Sequence, residues 1–564
     1  MLTNQQVAGL VERLNKGRHE EVIAETSRLI KQYPRVAGLH ELLGTAHARV
    51  GNQERAEKSL RRALKLMPGL QSALYNLGGL YLNGGNYSQA VAVFRQLAKL
   101  DPNNSAVLWH LGEALFHSGL PQDAILPLQR AVALSSELIE ARFLLGRIAR
   151  DAGDDEDAIH HFESVLEIDP AHYEAAFNIG NIHRDHRRND DAMRCYEPLL
   201  SGRPDHLPLL LNMHVCHLQD MRIEEATAVN DRVLALDPGN PNAAFNASSL
   251  EFLSGRWQSG YAFYEKRFEK EDPVKPQYSG RETDWDGAGP VAGGRLILHA
   301  EQGLGDSIMM LRFLALIDSK TENPVVLLQP GLERIAALSF PDIQFETVTR
   351  HARGWKKGGE RGAAQCSLMS LPHVLRGRWQ QLPASAGYLS APEDSSSDWA
   401  AWLGGDTGHP AIGLVWRGNP DNPNDRHRSV DLEMFTERLP SGPRYVVLQK
   451  DVTDAECGQL KACDSLDVRF PDLGDFADTA ALCGQLDSVI AVDTSVAHLC
   501  GALGTRTHLL LPFMPDARWR ASGADCDWYD SVTVHRQTIT GDWAAPLKSV
   551  ASHLQDRLQG LKNS

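Results

Sequence analysis

The pattern of hydrophobic and polar positions divides the chain into two parts with different periods. Up to about residue 268, apolar positions recur at helical spacing in paired segments, and one skeleton returns every 34 residues. Small residues at matching positions of this skeleton allow two helices to approach closely. The pattern predicts a solenoid of about seven helical hairpins with a last partial one at residues 245–268. Prolines end most of the intervals: Pro34, Pro68, Pro102, Pro170, Pro204 and Pro238.

This period and skeleton closely resemble the tetratricopeptide repeat, whose stacked hairpins form an α superhelix with a concave groove. The resemblance implies that one polar position of the skeleton faces the groove. An amide there can donate to and accept from a peptide backbone at once. Asparagine occupies this position in four repeats, at Asn76, Asn178, Asn212 and Asn246. These asparagines either form a ladder that binds the acceptor chain or are solvated groove residues.

Beyond the repeats, predicted to fill residues 1–270, short apolar runs alternate with helical segments, which predicts parallel strands with crossover helices. A stretch rich in Pro, Gly and charge at 271–294 separates the two parts. The runs form two series, at 295–390 and 410–564, joined by a linker at 391–409. Two such series predict the GT-B fold, in which two Rossmann-like α/β domains face a cleft.

The first loop of this second part follows an apolar run and reads HAEQGLGD, residues 299–306. Its glycines, Gly303 and Gly305, let the backbone approach a ligand, and N–H groups at the next helix start favour an anion or polar substrate. Asp306 stands at that helix start, either as a cap or as a functional acid. The loop matches neither the dinucleotide-binding nor the P-loop motif.

A second loop, Asp493-Thr494-Ser495, follows a strand-like run and precedes a helix whose first turn contains His498. The free N–H groups of that turn and the two hydroxyls predict a cradle for a diphosphate. His498 either contacts a phosphate or a sugar, or is a half-buried helix histidine.

A third loop, residues 415–431, offers three arginines and an asparagine after another strand. Arginine suits a diphosphate because its planar fork binds two oxygens at once. Some of these side chains are expected to be surface charges only. The candidates for donor binding are Arg417, Asn419 and Arg428, with Arg426 beside them.

Composition narrows the function classes. The net charge is −15, and the chain has no long Lys/Arg run, which argues against a duplex nucleic-acid binder. No apolar run approaches the length of a membrane span and no secretion signal is evident, so the expectation is a cytoplasmic protein without membrane insertion. The cysteines form no CxxC pair, and Asp525-Cys526-Asp527 does not follow a strand, so no metal site is expected.

The loops together resemble glycosyltransferase family 9, the heptosyltransferases. The segments that carry this resemblance are HAEQGLGD, VWRGNP, DFADTAAL at 475–482, VDTSVAHLCGALG and LLLPFMPDARW at 509–519. The resemblance implies that Asp306 is the catalytic base, with Glu301 as the reserve candidate. It also implies that the segment from Asp493 to His498 binds the nucleotide diphosphate, with Ser495 in place of the family's glycine.

The order of repeats and transferase also resembles O-GlcNAc transferases and alphaproteobacterial flagellin glycosyltransferases, in which the repeats recruit a protein acceptor. It implies an inverting, metal-independent, cofactor-free enzyme that transfers a sugar from a nucleotide sugar to Ser or Thr of a protein, with flagellin favoured. Two alternatives stay open. One is a glycosyltransferase acting on lipopolysaccharide or another polysaccharide, and the other is a non-catalytic scaffold.

Overall fold

The computed structural model divides into two compact units, Met1–Leu209 and Leu210–Ser564. The predicted linker 271–294 lies largely outside the part that it describes, and the predicted domain boundaries stay predictions. The described residues are 2–270, 283–287, 291, 295–347, 363–382, 387–404, 409–420 and 425–563.

Sixteen helices in the first 264 residues form eight consecutive hairpins, which confirms the predicted helical repeats. A short 3-10 turn, Glu265–Phe268, follows the last helix. The helices are α1 (Asn4–Asn15), α2 (His19–Gln32), α3 (Ala37–Arg49), α4 (Gln53–Leu66), α5 (Gln71–Asn83), α6 (Tyr87–Leu100), α7 (Ser105–His117), α8 (Pro121–Leu134), α9 (Ile139–Asp151), α10 (Asp155–Ile168), α11 (Tyr173–Asp185), α12 (Asn189–Gly202), α13 (Leu207–Gln219), α14 (Ile223–Leu236), α15 (Pro241–Leu253) and α16 (Trp257–Tyr264).

Local backbone requirements explain the 34-residue period. The turn inside each hairpin needs a residue with positive φ, which is glycine in most repeats and Arg187 or Met221 in two of them. Glycine also permits the close helix contact: a Cβ on Gly78 would lie 2.7 Å from the Phe94 ring, and one on Gly180 would lie 2.4 Å from the Tyr196 ring. The small residues of the sequence pattern therefore mark helix contacts, as predicted.

The second unit contains two parallel β-sheets flanked by helices, which confirms the predicted strands and crossover helices. The first sheet has the order β1-β5-β2-β3-β4, and the second has the order β11-β10-β9-β6-β7-β8. The strands are β1 (Thr283–Asp284), β2 (Arg295–His299), β3 (Pro324–Leu328), β4 (Gln344–Thr347), β5 (Ala363–Ser367), β6 (Ala411–Val415), β7 (Arg444–Val447), β8 (Asp467–Arg469), β9 (Ser488–Val492), β10 (Thr507–Leu511) and β11 (Val532–Arg536).

Eleven α-helices accompany these strands in the described residues, with 3-10 turns at Arg312–Leu316, Leu368–Ser370, Arg376–Gln381 and Ala517–Trp519. No described helix combines the length and apolar character that crossing a bilayer requires. The helices are α17 (Leu304–Leu311), α18 (Ser319–Glu322), α19 (Glu333–Ser339), α20 (Leu371–Val374), α21 (Glu393–Trp402), α22 (Asp425–Arg428), α23 (Leu432–Thr436), α24 (Asp454–Lys461), α25 (Phe476–Cys483), α26 (Ser495–Leu503) and α27 (Ala544–Asn563).

The direction of strand addition reverses once in each sheet. In the first sheet β3 and β4 add to one side of β2, and β5 lies on its other side. In the second sheet β7 and β8 add to one side of β6, and β9 to β11 extend the other. Ligands of open parallel sheets bind outside the carboxyl ends of the strands at such a reversal. A ligand site is therefore expected at the loops after β2, β5, β6 and β9.

One hydrophobic core joins both sheets and the last hairpin. Phe252, Tyr261 and Tyr264 of α15 and α16 belong to the same buried cluster as strands β2, β3, β9 and β10. The central strands are buried along their whole length, which is why they read as unbroken apolar runs. Strand β1 lies within the predicted linker and was not predicted, because two residues at a sheet edge give no apolar pattern.

Candidate functional site

The loops after β2, β9 and β10 meet, so the carboxyl edges of the two sheets face each other. Asp306, in the first turn of α17, lies after β2, and Arg518 lies after β10. Arg518 Nη1 is 2.6 Å from Asp306 Oδ1. The other carboxylate oxygen, Oδ2, accepts a 2.9 Å hydrogen bond from the backbone N–H of Gly303. Asp306 is thus a helix cap, and it also belongs to a charged group that joins the two sheets.

The starts of helices α17 and α26 lie against each other. A Cβ on Gly305 would be 2.7 Å from His498 Cδ2 and 3.5 Å from Ser495 Cα. Any larger residue at position 305 would push the two helices apart. Gly305 therefore brings two helix N-termini together, and the backbone around Gly303 is extended, with φ −73° and ψ 170°. Two adjacent helix starts concentrate unpaired N–H groups and positive dipole ends, which favour an anion.

The start of α26 is not closed by its own N-cap. Thr494 makes no side-chain hydrogen bond to the helix. Its Oγ1 is buried and has no hydrogen-bond partner among the described residues. A buried hydroxyl without a partner is costly unless a ligand or water satisfies it. Thr494 and the first N–H groups of α26 are therefore placed to hold polar atoms of a ligand.

His498 is a buried neutral histidine with several partners. Its Nδ1 lies 2.9 Å from the Tyr529 hydroxyl, its ring stacks on Trp519 at 5.0 Å, and its Nε2 lies 3.8 Å from Asp493 Oδ1. Burial lowers the pKa of His498 well below 6.5. The ring therefore serves as a neutral hydrogen-bonding group beside Asp493 and does not supply a positive charge.

Asp493 is the acid at this place whose protonation differs from that of an ordinary carboxyl. Burial, with the charge of Asp516, raises the pKa of Asp493 to about 6, against the positive charges of Arg518 and Arg428. A strongly shifted carboxyl at strand ends is typical of functional sites. The same shift means that the ionised Asp493 carboxylate destabilises the folded chain at neutral pH.

We expect Asp493→Asn to raise the free energy of unfolding at pH 7 by up to about 3 kcal/mol, because a pKa raised from 3.8 to about 6 disfavours the folded, ionised form by that amount. The folded chain keeps the proton up to about pH 6, whereas the unfolded chain loses it near pH 4. Wild-type stability from this group therefore falls as pH rises through that window. Urea unfolding from pH 4.5 to 7.5 measures the gap in the free energy of unfolding between wild type and variant. The exposed Asp530→Asn serves as the control, and a gap that does not widen with pH contradicts the prediction.

Arg417 is engaged away from the meeting point of the helices. Its Nε donates to Glu456 Oε1 at 2.9 Å and its Nη2 to Glu456 Oε2 at 3.1 Å, and it also contacts the Asp451 carbonyl. Burial alone would raise the pKa of Glu456, but hydrogen bonds from Arg417, Thr453 and Trp416 lower it to about 2. The Arg417 guanidinium is thus held by a permanently ionised partner, and its donor-binding role stays a prediction.

Arg428 is the arginine of the third loop whose positive charge acts on Asp493. Its guanidinium lies over Gly418, where a Cβ would be 2.6 Å from Arg428 Nη2. Its Nε donates to Asp425 Oδ1 at 3.1 Å, and its positive charge acts to lower the pKa of Asp493. Asn419 is exposed in the same loop. Of the predicted donor-binding arginines, Arg428 acts on Asp493 through its charge, whereas Arg417 is held on Glu456, and the donor-binding role of both stays a prediction.

Glu301 lies in a different, fully buried cluster at the reversal point of the first sheet. Arg267, from the 3-10 turn after α16, grips it with Nε and Nη2, both at 2.7 Å. The five N–H groups of Arg267 all have acceptors, which include Ser370 Oγ, the Tyr264 carbonyl and Glu265. Ser367, at the end of β5, donates to Glu301 as well. Glu301 therefore holds the loop in place, and its reserve role as a base stays a prediction.

Sequence reasoning named neither Arg518 nor Asp516 as a site residue. Arg518 Nε lies 2.8 Å from Asp516 Oδ1, and the charges of Asp306, Asp516 and Asp493 raise the pKa of Arg518 despite its burial. Both residues lie in the segment at 509–519, one of those on which the predicted family resemblance rests. The spacing of that segment gave no reason to connect Arg518 with Asp306, which lies more than two hundred residues earlier.

The predicted groove asparagines are half-buried on the first helices of their hairpins. Asn76 Nδ2 donates to Glu41 Oε1 and to Thr45 Oγ1 at 3.2 and 2.9 Å. Asn178 donates to the Glu174 carbonyl and accepts from Arg150. A peptide backbone would have to replace some of these hydrogen bonds. The acceptor-binding role of Asn76, Asn178, Asn212 and Asn246 stays a prediction.

Comparison with known families bears on the first part of the chain. Residues 75–138 and 143–205 match the tetratricopeptide repeat family. The helical hairpins are tetratricopeptide repeats. These repeats resemble two solved structures: MamA, at 26% identity and TM-score 0.28 over 29% of this chain and 95% of MamA, and YrrB, at 26% identity and TM-score 0.31 over 33% of this chain and 95% of YrrB. YrrB is described as a TPR protein with an unusual peptide-binding site.

A further relative, protein FlbA of Caulobacter vibrioides, is 24% identical over 354 residues. The match covers 59% of this chain and 59% of FlbA, so it spans less than two thirds of that protein.

Proposed function

We propose that the chain is a GT-B glycosyltransferase that transfers a sugar from a nucleotide sugar to a Ser or Thr hydroxyl of a protein acceptor recruited by its tetratricopeptide repeats. The observation that carries the proposal is the meeting of Asp306 with the uncapped start of α26, between the carboxyl edges of two parallel sheets. An acid and an anion cradle at one place are what sugar transfer from a diphosphate requires.

The strand order supports the Rossmann-like character of the second sheet. Counted from β6 in chain order, its strands lie in the order 3-2-1-4-5-6, with the reversal between β6 and β9. Nucleotides bind outside the carboxyl ends of the strands at this position in doubly wound folds. The loop after β6 carries Arg428, and the loop after β9 carries Asp493 and Thr494, so the predicted donor-binding loops flank the reversal.

In the proposed reaction Asp306 acts as the general base. Hydrogen bonding to Gly303 and pairing with Arg518 use two of the roughly four acceptor positions of its carboxylate, and the others remain for an acceptor hydroxyl. The hydroxyl oxygen forms a bond to the anomeric carbon while the bond to the diphosphate oxygen breaks. The proton passes to Asp306, and attack opposite the leaving group inverts the anomeric centre.

The leaving diphosphate gains negative charge as that bond breaks. In the proposal the N–H groups at the start of α26, the Thr494 hydroxyl and the Arg428 guanidinium stabilise it, and the charge of Arg428 already acts on the neighbouring Asp493. Gly305 keeps α17 and α26 close enough for the base and this cradle to serve one substrate. Flagellin is the favoured acceptor because of the resemblance of the sequence to flagellin glycosyltransferases.

The test of this function is transfer by the purified full chain from UDP-, GDP-, ADP- and CMP-linked sugars to an extract of cells that lack the gene. Intact-mass measurement of the proteins, flagellin first, should show a mass increase of one sugar on an acceptor. If the sugar is found on lipopolysaccharide or another polysaccharide and on no protein, that polymer is the acceptor and the proposed protein acceptor is wrong. If none of the sugar nucleotides binds in calorimetry, the result favours a non-catalytic scaffold over a transferase.

We expect Arg428→Ala to weaken binding of the nucleotide sugar about 10- to 100-fold, because a charge-assisted hydrogen bond to a phosphate contributes about 1.5–3 kcal/mol. Arg417→Ala should weaken it far less, since Glu456 binds both Nε and Nη2 of Arg417, whereas Arg428 pairs with Asp425 through Nε. Calorimetry with the donor measures both, and the exposed neighbour Arg426→Ala is the matched control. A larger loss of donor affinity in Arg417→Ala than in Arg428→Ala would show that the Glu456 pair opens when the donor binds.

A further inference from the structure

Three histidines from separate elements meet at the edge of the second sheet that α27 covers. They are His508 on β10, His535 on β11 and His553 on α27, and one ring nitrogen from each lies within 4.8 Å of the others. Within the described parts of the chain, this is the only group of three or more His, Cys, Asp or Glu residues with that geometry. None of the three belongs to the proposed transfer site.

We propose that these three imidazoles bind one divalent transition-metal ion, with Zn²⁺ as the ion. Imidazole nitrogen is a preferred ligand of zinc, and three histidines with one open position form a known type of zinc site. His508 Nδ1 lies 3.1 Å from His535 Nε2. Two nitrogens bound tetrahedrally at about 2.0–2.1 Å from zinc lie about 3.3 Å apart, so this pair already has the required separation.

The hydrogen bonds behind the rings hold them in the orientation that such a site needs. His535 Nδ1 lies 2.9 Å from Ser549 Oγ, and His553 Nδ1 lies 2.9 Å from the Ser549 carbonyl. One residue of α27 therefore contacts both rings at Nδ1, which leaves Nε2 of each for a ligand. Metal-binding histidines are usually oriented by a hydrogen bond from the other ring nitrogen to a carbonyl or polar group.

Burial decides what the site is suited to do. His508 and His535 are 6% and 4% exposed, whereas His553 is exposed. Because His553 is exposed, solvent reaches the fourth position of a bound ion. A bound ion would link α27 to β10 and β11 and so stabilise the packing of this last described helix on the sheet.

Zinc content of the untagged full chain tests the proposal. After dialysis against Zn²⁺ and then buffer, elemental analysis should give about one zinc per wild-type chain and a loss of that zinc in His553→Ala. His409→Ala, which removes another exposed histidine of the same unit, should keep it. Equal zinc content in wild type and His553→Ala overturns the proposal. Because His553 is exposed, its removal should leave the melting temperature of the metal-free chain unchanged.

Two further measurements separate a built site from a pair of neighbouring histidines. Ser549→Ala should weaken Zn²⁺ affinity about 10- to 100-fold in competition with a chromophoric chelator, because it removes the hydroxyl that orients His535. Co²⁺ should give the intense visible absorption of a four-coordinate ion in wild type and not in His553→Ala. An unchanged affinity in Ser549→Ala together with octahedral Co²⁺ spectra would also contradict the proposal.

Discussion

Asp306→Asn should slow sugar transfer about 10²- to 10⁴-fold while leaving the affinity for the donor unchanged. Asparagine has nearly the shape of aspartate and cannot take the proton of the acceptor hydroxyl. Its oxygen can still accept the N–H of Gly303, which keeps the start of α17 capped, but its NH2 group cannot replace the carboxylate oxygen that pairs with Arg518. The measurement is kcat for release of the nucleoside diphosphate, with donor affinity from calorimetry.

Asp318→Asn is the matched control for this experiment. Asp318 is exposed and caps α18 beside the same sheet, where it accepts the N–H of Lys320. The Asp318→Asn variant should transfer sugar at the wild-type rate, since the substitution only removes a capping charge from α18. Full activity in Asp306→Asn would exclude Asp306 as the base. A loss of donor affinity equal to the loss of kcat would assign it to donor binding through Arg518.

Arg267→Met should lower the free energy of unfolding of the second unit by about 3–5 kcal/mol. Arg267 is fully buried, and its removal leaves the equally buried Glu301 carboxylate without its bidentate partner. Burial alone would lower the pKa of Arg267, but the hydrogen bonds and the charge of Glu301 raise it, so the guanidinium stays charged. Urea unfolding of the full chain, followed by tryptophan fluorescence, measures the loss.

Two companion variants identify the cause of that loss. Arg256→Met removes a similar pair with Glu251 on the same hairpin, but Arg256 is 60% exposed, so the cost should be about 0–1 kcal/mol. The double variant Arg267→Met/Glu301→Met should recover much of the stability, because it leaves no unpaired carboxylate in the Glu301 position. A loss in the double variant as large as in Arg267→Met would mean that packing, and not the unpaired charge, sets the cost.

The buried Arg267–Glu301 pair also relates the repeats to the proposed reaction. Arg267 follows the last tetratricopeptide hairpin, and Glu301 lies in the loop that ends in Asp306. Tyr264 of the same hairpin contacts Gln302 in that loop. The position of the proposed base therefore depends on residues that the sequence pattern assigns to the repeat array. The last hairpin accordingly lies in the same compact unit as the sheets, Leu210–Ser564.

The pattern of the sequence predicted the repeated elements well, because each is set by local requirements. A positive φ is needed at one turn position of every hairpin, and a Cβ would collide with the neighbouring helix at positions such as Gly112. The buried central strands were equally visible as apolar runs. Edge strands such as β8 and β11 were not predicted, since both mix apolar residues with polar or charged ones.

For the candidate site, the sequence located the loops but not the partners of their side chains. It placed Asp306, Thr494 and His498 after strands, where ligands of parallel sheets bind. It could not distinguish Arg417 from Arg428, because both follow β6 and only the fold pairs one with Glu456 and lets the charge of the other act on Asp493. A residue's partner depends on which loops the two sheets bring together.

The sequence by itself therefore determined the tetratricopeptide hairpins, the parallel strands and the loops at their carboxyl ends, since periodicity and turn chemistry act over a few residues. Only the tertiary structure decided that Arg518 pairs with Asp306, that Arg267 pairs with Glu301, and that three histidines spaced 27 and 18 residues apart form one cluster. Such contacts join residues far apart in the chain. They form because burying the apolar faces of the sheets and helices fixes where each polar side chain must find its partner.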